Sequence, residues 1–244
     1  MREDAPQRTD PLRAILHGLR WMARAGAPWQ MLPHDVPPWE AGYPQPQRWL
    51  QASVCEAIVH DRRRLLRVAA GREAQPSATI LDGRTRPSSS ERGHRGGDEG
   101  ATRQRGSTVP MAVDTLRHVL AVQVTPAAAQ DRAQVAPWTA QGQDVTGDAI
   151  AVAVVDQGDT GDHPAQEAAV PGMQLAVVKL PAAKTGCVRW PRRWVVDRSV
   201  AWAARFRRLA RDDERRPATL AGFHCLTFVL LWLKRFVALM GQSA

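Results

Sequence analysis

Apolar residues recur at helical spacing through the first 70 positions, break into short strand-like runs from residue 78, and return to helical spacing after residue 190. Near the start, Leu12, Ile15, Leu16, Leu19 and Met22 follow the i, i+3, i+4, i+7 rhythm of one helix face. Asp10 reads as the N-cap and Pro11 as the first helical residue, where a missing N–H costs nothing. Gly26, Pro28 and the cluster Pro33, Pro37, Pro38, Pro44 and Pro46 then impose an extended connection. The pattern predicts a second helix from about Gln47 to Ala70. It carries Trp49, Leu50, Val54, Ile58, Leu65 and Leu66 inward, with Arg62, Arg63, Arg64 and Arg67 on the outer face. Two helices, a rigid elbow and a basic face suit a small DNA-binding module, and they suit a packing domain equally.

After a linker at Gly71 to Ser77 the period changes. Ala78 to Leu81 is a short apolar strand that ends in Asp82, and Ser88 to Gly106 is a polar loop rich in Gly, Ser and Arg. Val109 to Asp114 and Val119 to Thr125 read as a hairpin turning near Leu116 to His118, followed by a helix over Ala129 to Gln141 that Pro137 weakens. Ile150 to Val155 is an unbroken apolar run of the kind buried parallel strands use, and it ends in Asp156. A short helix at Gln166 to Val170, a strand at Met173 to Val178, and helices at about Trp194 to Arg211 and Thr219 to Met240 complete the pattern. The order predicts a mixed α/β sheet flanked by helices over residues 77–244, preceded by a small all-helical segment over residues 1–70. His224, Lys234 and Arg235 interrupt the apolar stretch Leu220 to Met240, so it is expected to be a core helix with no membrane role.

Composition narrows the function. With 44% hydrophobic and 23% charged residues in 244, the chain is globular rather than disordered. Its net charge is +9, and of 33 basic residues only Lys179, Lys184 and Lys234 are lysine. The planar guanidinium suits phosphate, so a polyanion such as DNA is the expected partner; arginines on a solvated surface are the plainer alternative. Cys55, Cys187 and Cys225 form no C-x-x-C pair, and Met1 to Asp10 has no apolar core of a signal peptide, so a cytoplasmic location is expected. The histidines show no zinc-ligand spacing. Trp21, Trp29, Trp39 and Trp49 would pack the N-terminal helices or stack on bases.

The candidate chemistry is acidic. Asp82 and Asp156 stand directly after the two most apolar strands, at the sheet edge where α/β folds place their sites. Asp197 interrupts an apolar helix face that it shares with Val200, Ala201 and Ala204. An acid there is costly unless it is paired or bound to a cation. Three such acids at one edge would form an all-oxygen site for two Mg²⁺ or Mn²⁺ ions, about 3.5–4 Å apart. Alternatively, Asp82 and Asp156 cap turns and Asp197 pairs with Arg193 or Arg198.

Five segments carry a resemblance: ILHGLRWMARAGAPWQMLPHDVPPWEAGYPQPQRWL from Ile15, LDGRT from Leu81, MAVDTLRHVLAVQVTPAAAQDRAQV from Met111, VDQGDTG from Val155, and WVVDRSVAWAARFRRLARDDE from Trp194. In this order the chain resembles the transposases of small bacterial insertion sequences, specifically the insertion-sequence five family. The resemblance implies a ribonuclease-H-like fold, a DNA-contacting N-terminal segment, and metal-dependent DNA strand cleavage and transfer. It implies that Asp82, Asp156 and Asp197 are catalytic metal ligands for two ions, acting on double-stranded element ends and target DNA in a homo-oligomer. Arg198, Arg205 and Arg208, beyond Asp197, are the expected DNA-binding residues near the metals, with Arg62 and Arg63 on the N-terminal helix. Several positions depart from the family pattern. The third acid is usually Glu, and Asp197 is one methylene shorter, by about 1.5 Å. Asp98, Asp159 and Asp213 replace tyrosine, Thr102 and Thr108 replace lysine, and Pro110 replaces histidine; Pro110 is expected only at a strand start or edge. These changes predict weak activity, or a catalytically silent DNA-binding remnant.

Overall fold

The described strands of the computed structural model form one sheet: β1 (Ala78–Pro87), β2 (Gly97–Asp98), β3 (Arg105–Asp114), β4 (Val119–Val122), β5 (Thr125–Pro126), β6 (Val152–Asp156) and β7 (Gln174–Val178). Residues 10–88, 97–98, 105–127, 135–156, 172–178 and 193–242 are described. The strand order is β2-β3-β1-β6-β7, with β4 and β5 also on β3. β1 runs antiparallel to β3 but parallel to β6, and β6 parallel to β7. An antiparallel meander continued by parallel strands, with helices on both faces, is the mixed α/β arrangement of a ribonuclease-H-like fold.

Seven helices accompany the sheet among the described residues: α1 (Leu12–Ala25), α2 (Trp39–Gly42), α3 (Pro44–Gln51), α4 (Val54–Ala69), α5 (Val135–Thr146), α6 (Arg193–Ala203) and α7 (Pro217–Gln242). α1 begins one residue later than expected, with Pro11 rather than Asp10 at the cap, and ends where Gly26 turns left-handed at φ 67. The predicted Gln47–Ala70 helix is two helices, because Ser53 adopts φ 51 between α3 and α4. The helix expected at Gln166–Val170 lies outside the described residues.

Alternation along β1 sends neighbouring side chains into two separate cores. Ile80 joins Val109, Met111, Val113 and Val154 on the face covered by Val195 and Val196 of α6 and by Phe223, Leu226 and Phe228 of α7. Leu81 joins Ala112, Leu120 and Val155 on the opposite face, under Trp138 of α5. The first core also takes in Leu19, Leu50 and Leu66, so the N-terminal helices share it with the sheet. α7 is long and apolar enough to cross a membrane, but it packs against α3, α4 and β4 as a core helix.

Two expectations about α4 and one about β3 are corrected. Arg63 and Arg67 are buried, whereas Leu65 and Ile58 are exposed. Arg63 donates to Gln75 Oε1 and to the Val145 carbonyl, and Arg67 donates to Asp114 Oδ2 at 2.7 Å and to the Glu73 carbonyl. Asp114, fully buried, also accepts the backbone N–H groups of Leu116 and His118, which fixes the β3–β4 turn and ties it to α4. Pro110 lies inside β3, opposite Gly83, with strands on both sides. Its carbonyl accepts from Gln123, and in a strand a residue's nitrogen faces the same neighbour as its oxygen. The donor Pro110 lacks therefore falls at the break between β4 and β5, where no ladder bond is lost.

Candidate active site

β1 continues six residues past the apolar run that ends at Leu81 because it pairs with β3 as far as Pro87↔Gly106. Asp82 and Arg84 are therefore strand residues on the same face as Ile80, the face that α6 covers. Val195, Val196, Ser199 and Ala203 bury one side of α6, and Asp197 sits at the margin of that side, 39% exposed. Asp82 is more enclosed, at 11%.

Arg84 joins the two acids. Its Nε donates to Asp82 Oδ2 at 3.3 Å and its Nη2 to Asp197 Oδ1 at 2.5 Å. Guanidinium nitrogens on C–N bonds of about 1.33 Å stand about 2.3 Å apart, so those two carboxylate oxygens lie within about 8 Å of each other. Burial lowers the Arg84 pKa, but the charge of Asp82 and the hydrogen bond and charge of Asp197 outweigh it, and the net shift is upward. The carboxylates of β1 and α6 thus already share one cation.

Residue 156 reaches the same edge through the backbone. β1 and β6 pair in parallel as Ala78↔Val152, Thr79↔Ala153 and Ile80↔Val154. Continued two residues, this register sets position 82 beside position 156, the last residue of β6. The Asp156 side chain lies outside the described residues. Among those described, no three His, Cys, Asp or Glu side chains gather as a metal cage. Asp82 and Asp197 offer hard oxygen donors that already hold the Arg84 guanidinium, a donor set that fits Mg²⁺ or Mn²⁺.

The arginines singled out in the sequence divide. Arg198 is exposed and lies over Trp202, 5.6 Å from the ring centroid. Arg117 from the β3–β4 turn lies over the same ring at 4.8 Å, and Arg235 of α7 lies over Trp232, which meets Trp202 edge-on at 5.8 Å. Burial and then the charges of Arg198 and Arg235 lower the Arg117 pKa, so three guanidiniums crowd one aromatic pair beside α6. Sequence reasoning missed Arg117 and Arg235, which only the fold brings to Arg198. Arg205 is exposed in the turn that follows α6, since the helix stops at Ala203 rather than near Arg211. Arg208 is committed elsewhere: Nε donates to Glu214 at 2.6 Å and Nη1 to the Ala27 carbonyl. Arg62 is half-buried, bonded to the Val229 carbonyl and over the Phe236 ring, and Arg63 is enclosed as described. Arg62 therefore ties α4 to α7, Arg63 ties α4 to α5, and Arg208 braces the segment between α6 and α7 against residue 27; the burial of Arg63 corrects its expected place on a DNA-facing surface.

Of the family departures, Asp159 and Thr102 lie outside the described residues, as does the Asp98 side chain. Thr108 is buried with its hydroxyl 3.2 Å from that of Thr85. Asp213 lines a cleft of about 590 Å³ together with Trp29, Trp39, Tyr43, Arg208 and Arg215. No curated protein matches the chain. Residues 1–59, about a quarter of the chain, match the family described as "Putative transposase of IS4/5 family".

Proposed function

We propose that the chain binds the DNA ends of its insertion element and catalyses metal-dependent strand cleavage and transfer. Asp82, Asp156 and Asp197 are the acids of that site. The observation that carries the proposal is the meeting of Asp82 and Asp197, from distant parts of the chain, on one guanidinium at the edge where β6 ends. Two divalent ions, when bound, would activate the attacking water and stabilise the leaving 3′ oxygen. The chain's part is positional. β1 and β6 fix two acids on adjacent strands, and α6 carries the third across one sheet face. Arg198 and Arg205 grip phosphates nearby, and such contacts supply affinity without reading sequence.

A catalytically silent DNA-binding remnant is the second reading, favoured by the short Asp197 side chain. The two separate in one experiment. Purified protein is incubated with Mg²⁺ or Mn²⁺ and DNA bearing the inverted repeats that flank the coding region. Metal-dependent strand cleavage that Asp82→Ala abolishes supports the enzyme. Steeply salt-dependent binding without cleavage supports the remnant. Failure of both overturns the proposal.

A further inference from the structure

Arg84 occupies the position that a metal site leaves least room for. Its guanidinium engages Asp82 Oδ2 and Asp197 Oδ1, oxygens that the proposed function assigns to the divalent ion. Both cations cannot hold them at once. Without any cation, two carboxylates so close would repel, and Asp82 is too enclosed for water alone to screen it. The Arg84 side chain is half exposed on a long stem, so it can turn outward without dismantling packing. Once turned, it remains a charged fork at the rim of the site, with the geometry that phosphate accepts.

We propose that Arg84 is an internal counter-cation: it holds Asp82 and Asp197 together before metal arrives, yields their oxygens to the divalent ion, and then takes a phosphate of bound DNA. The inference rests on the metal-site reading above. Competition lowers apparent metal affinity by the fraction of molecules in the open state, so a site 90–99% closed binds about 10- to 100-fold more weakly than its open form. DNA, by engaging the released guanidinium, relieves that competition, and the coupling is reciprocal.

The test is equilibrium titration with Mn²⁺, read by the spin-resonance signal of the free ion, with and without a short duplex DNA of arbitrary sequence. Arg84→Ala and Arg84→Gln should bind Mn²⁺ at least about tenfold more tightly than the parent protein, and Arg84→Lys should stay near it. Added DNA should tighten Mn²⁺ binding in the parent and leave Arg84→Gln unchanged. Equal or weaker binding by both neutral variants, each checked for unaltered thermal unfolding, overturns the proposal. Should Asp82→Asn abolish Mn²⁺ binding while the neutral variants fail to tighten it, the metal site stands and the role of Arg84 falls. If neither the parent nor the Arg84 variants bind Mn²⁺, the metal-site reading itself fails.

Discussion

Replacing Arg67 with methionine removes one end of the buried pair that fastens α4 to the β3–β4 turn. Arg67 and Asp114 side chains are 7% and 0% exposed, and their atoms approach to 2.7 Å. Methionine keeps most of the buried stem volume, so the loss is electrostatic rather than a cavity. Leaving a buried charge without its partner costs about 3–5 kcal/mol. Asp114 keeps two backbone N–H donors and the His118 ring, which places the cost near the lower bound. The lost bond to the Glu73 carbonyl adds about 1 kcal/mol. A total near 4 kcal/mol is a large share of the roughly 5–15 kcal/mol that holds an ordinary fold, and lowers Tm by about 8–16 °C at this size. Urea unfolding followed through the nine tryptophans measures it. The pH dependence has a definite sign. Burial raises the Asp114 pKa, but the His118 and Arg67 contacts outweigh it, so the folded value lies below the ordinary carboxylate range. The stabilisation is therefore fully present above about pH 4 and lost as pH falls through the depressed folded value, where parent and variant should converge. A loss under about 1 kcal/mol at pH 7, or a gap that widens on acidification, refutes the reasoning.

Burial, and then the charge of Arg86, push His224 down to about 3 despite the bond from its Nδ1 to the Leu220 carbonyl. The unfolded chain takes up that proton near pH 6.5, so about 2 kcal/mol of stability should vanish between pH 6.5 and 5, and His224→Leu should flatten that slope in pH-resolved unfolding. Gly26→Ala should cost about 1–2 kcal/mol in the same assay, because φ is +67 and the added Cβ would lie 2.9 Å from the Arg207 backbone. Asp197→Glu should raise metal-dependent cleavage about tenfold or more, and no gain would argue that its length is not what limits the site. Arg198→Ala should reduce the slope of log binding constant against log salt by about 0.9 for duplex DNA, whereas Arg63→Ala should unfold the protein sooner and leave the slope of the folded fraction unchanged.

Fold and site were legible to different depths. Apolar runs located the centres of β1, β6 and β7 but not the length of β1, because residues 82–87 are held by pairing with β3 and carry no apolar signal of their own. The acids at 82 and 156 stood out because they end apolar runs, and 197 because it interrupts one. Arg84 did not stand out, since one arginine among thirty gives no contrast; its meaning comes from Asp197, 113 positions further along the chain, being folded back onto it. Arg63 and Arg67 misled for a related reason. A helical pattern treats arginine as outward, yet two oxygen acceptors apiece, Gln75 and the Val145 carbonyl for Arg63, Asp114 and the Glu73 carbonyl for Arg67, make an inward guanidinium tolerable. The break at Ser53 had no residue-level signal, because serine carries no mark of a left-handed backbone.

The placement of α7 fixes an order of events during synthesis. The helices it covers, α3 and α4, leave the ribosome well over a hundred residues earlier, with Leu50 and Leu66 lacking the cover of α7 until Phe223 and Leu226 emerge. A nascent chain in that interval displays a greasy seam beside a basic surface, a species prone to clumping or capture by chaperones. Premature stop codons between residues 198 and 217 should for this reason yield insoluble product even though every acid of the candidate site has been translated.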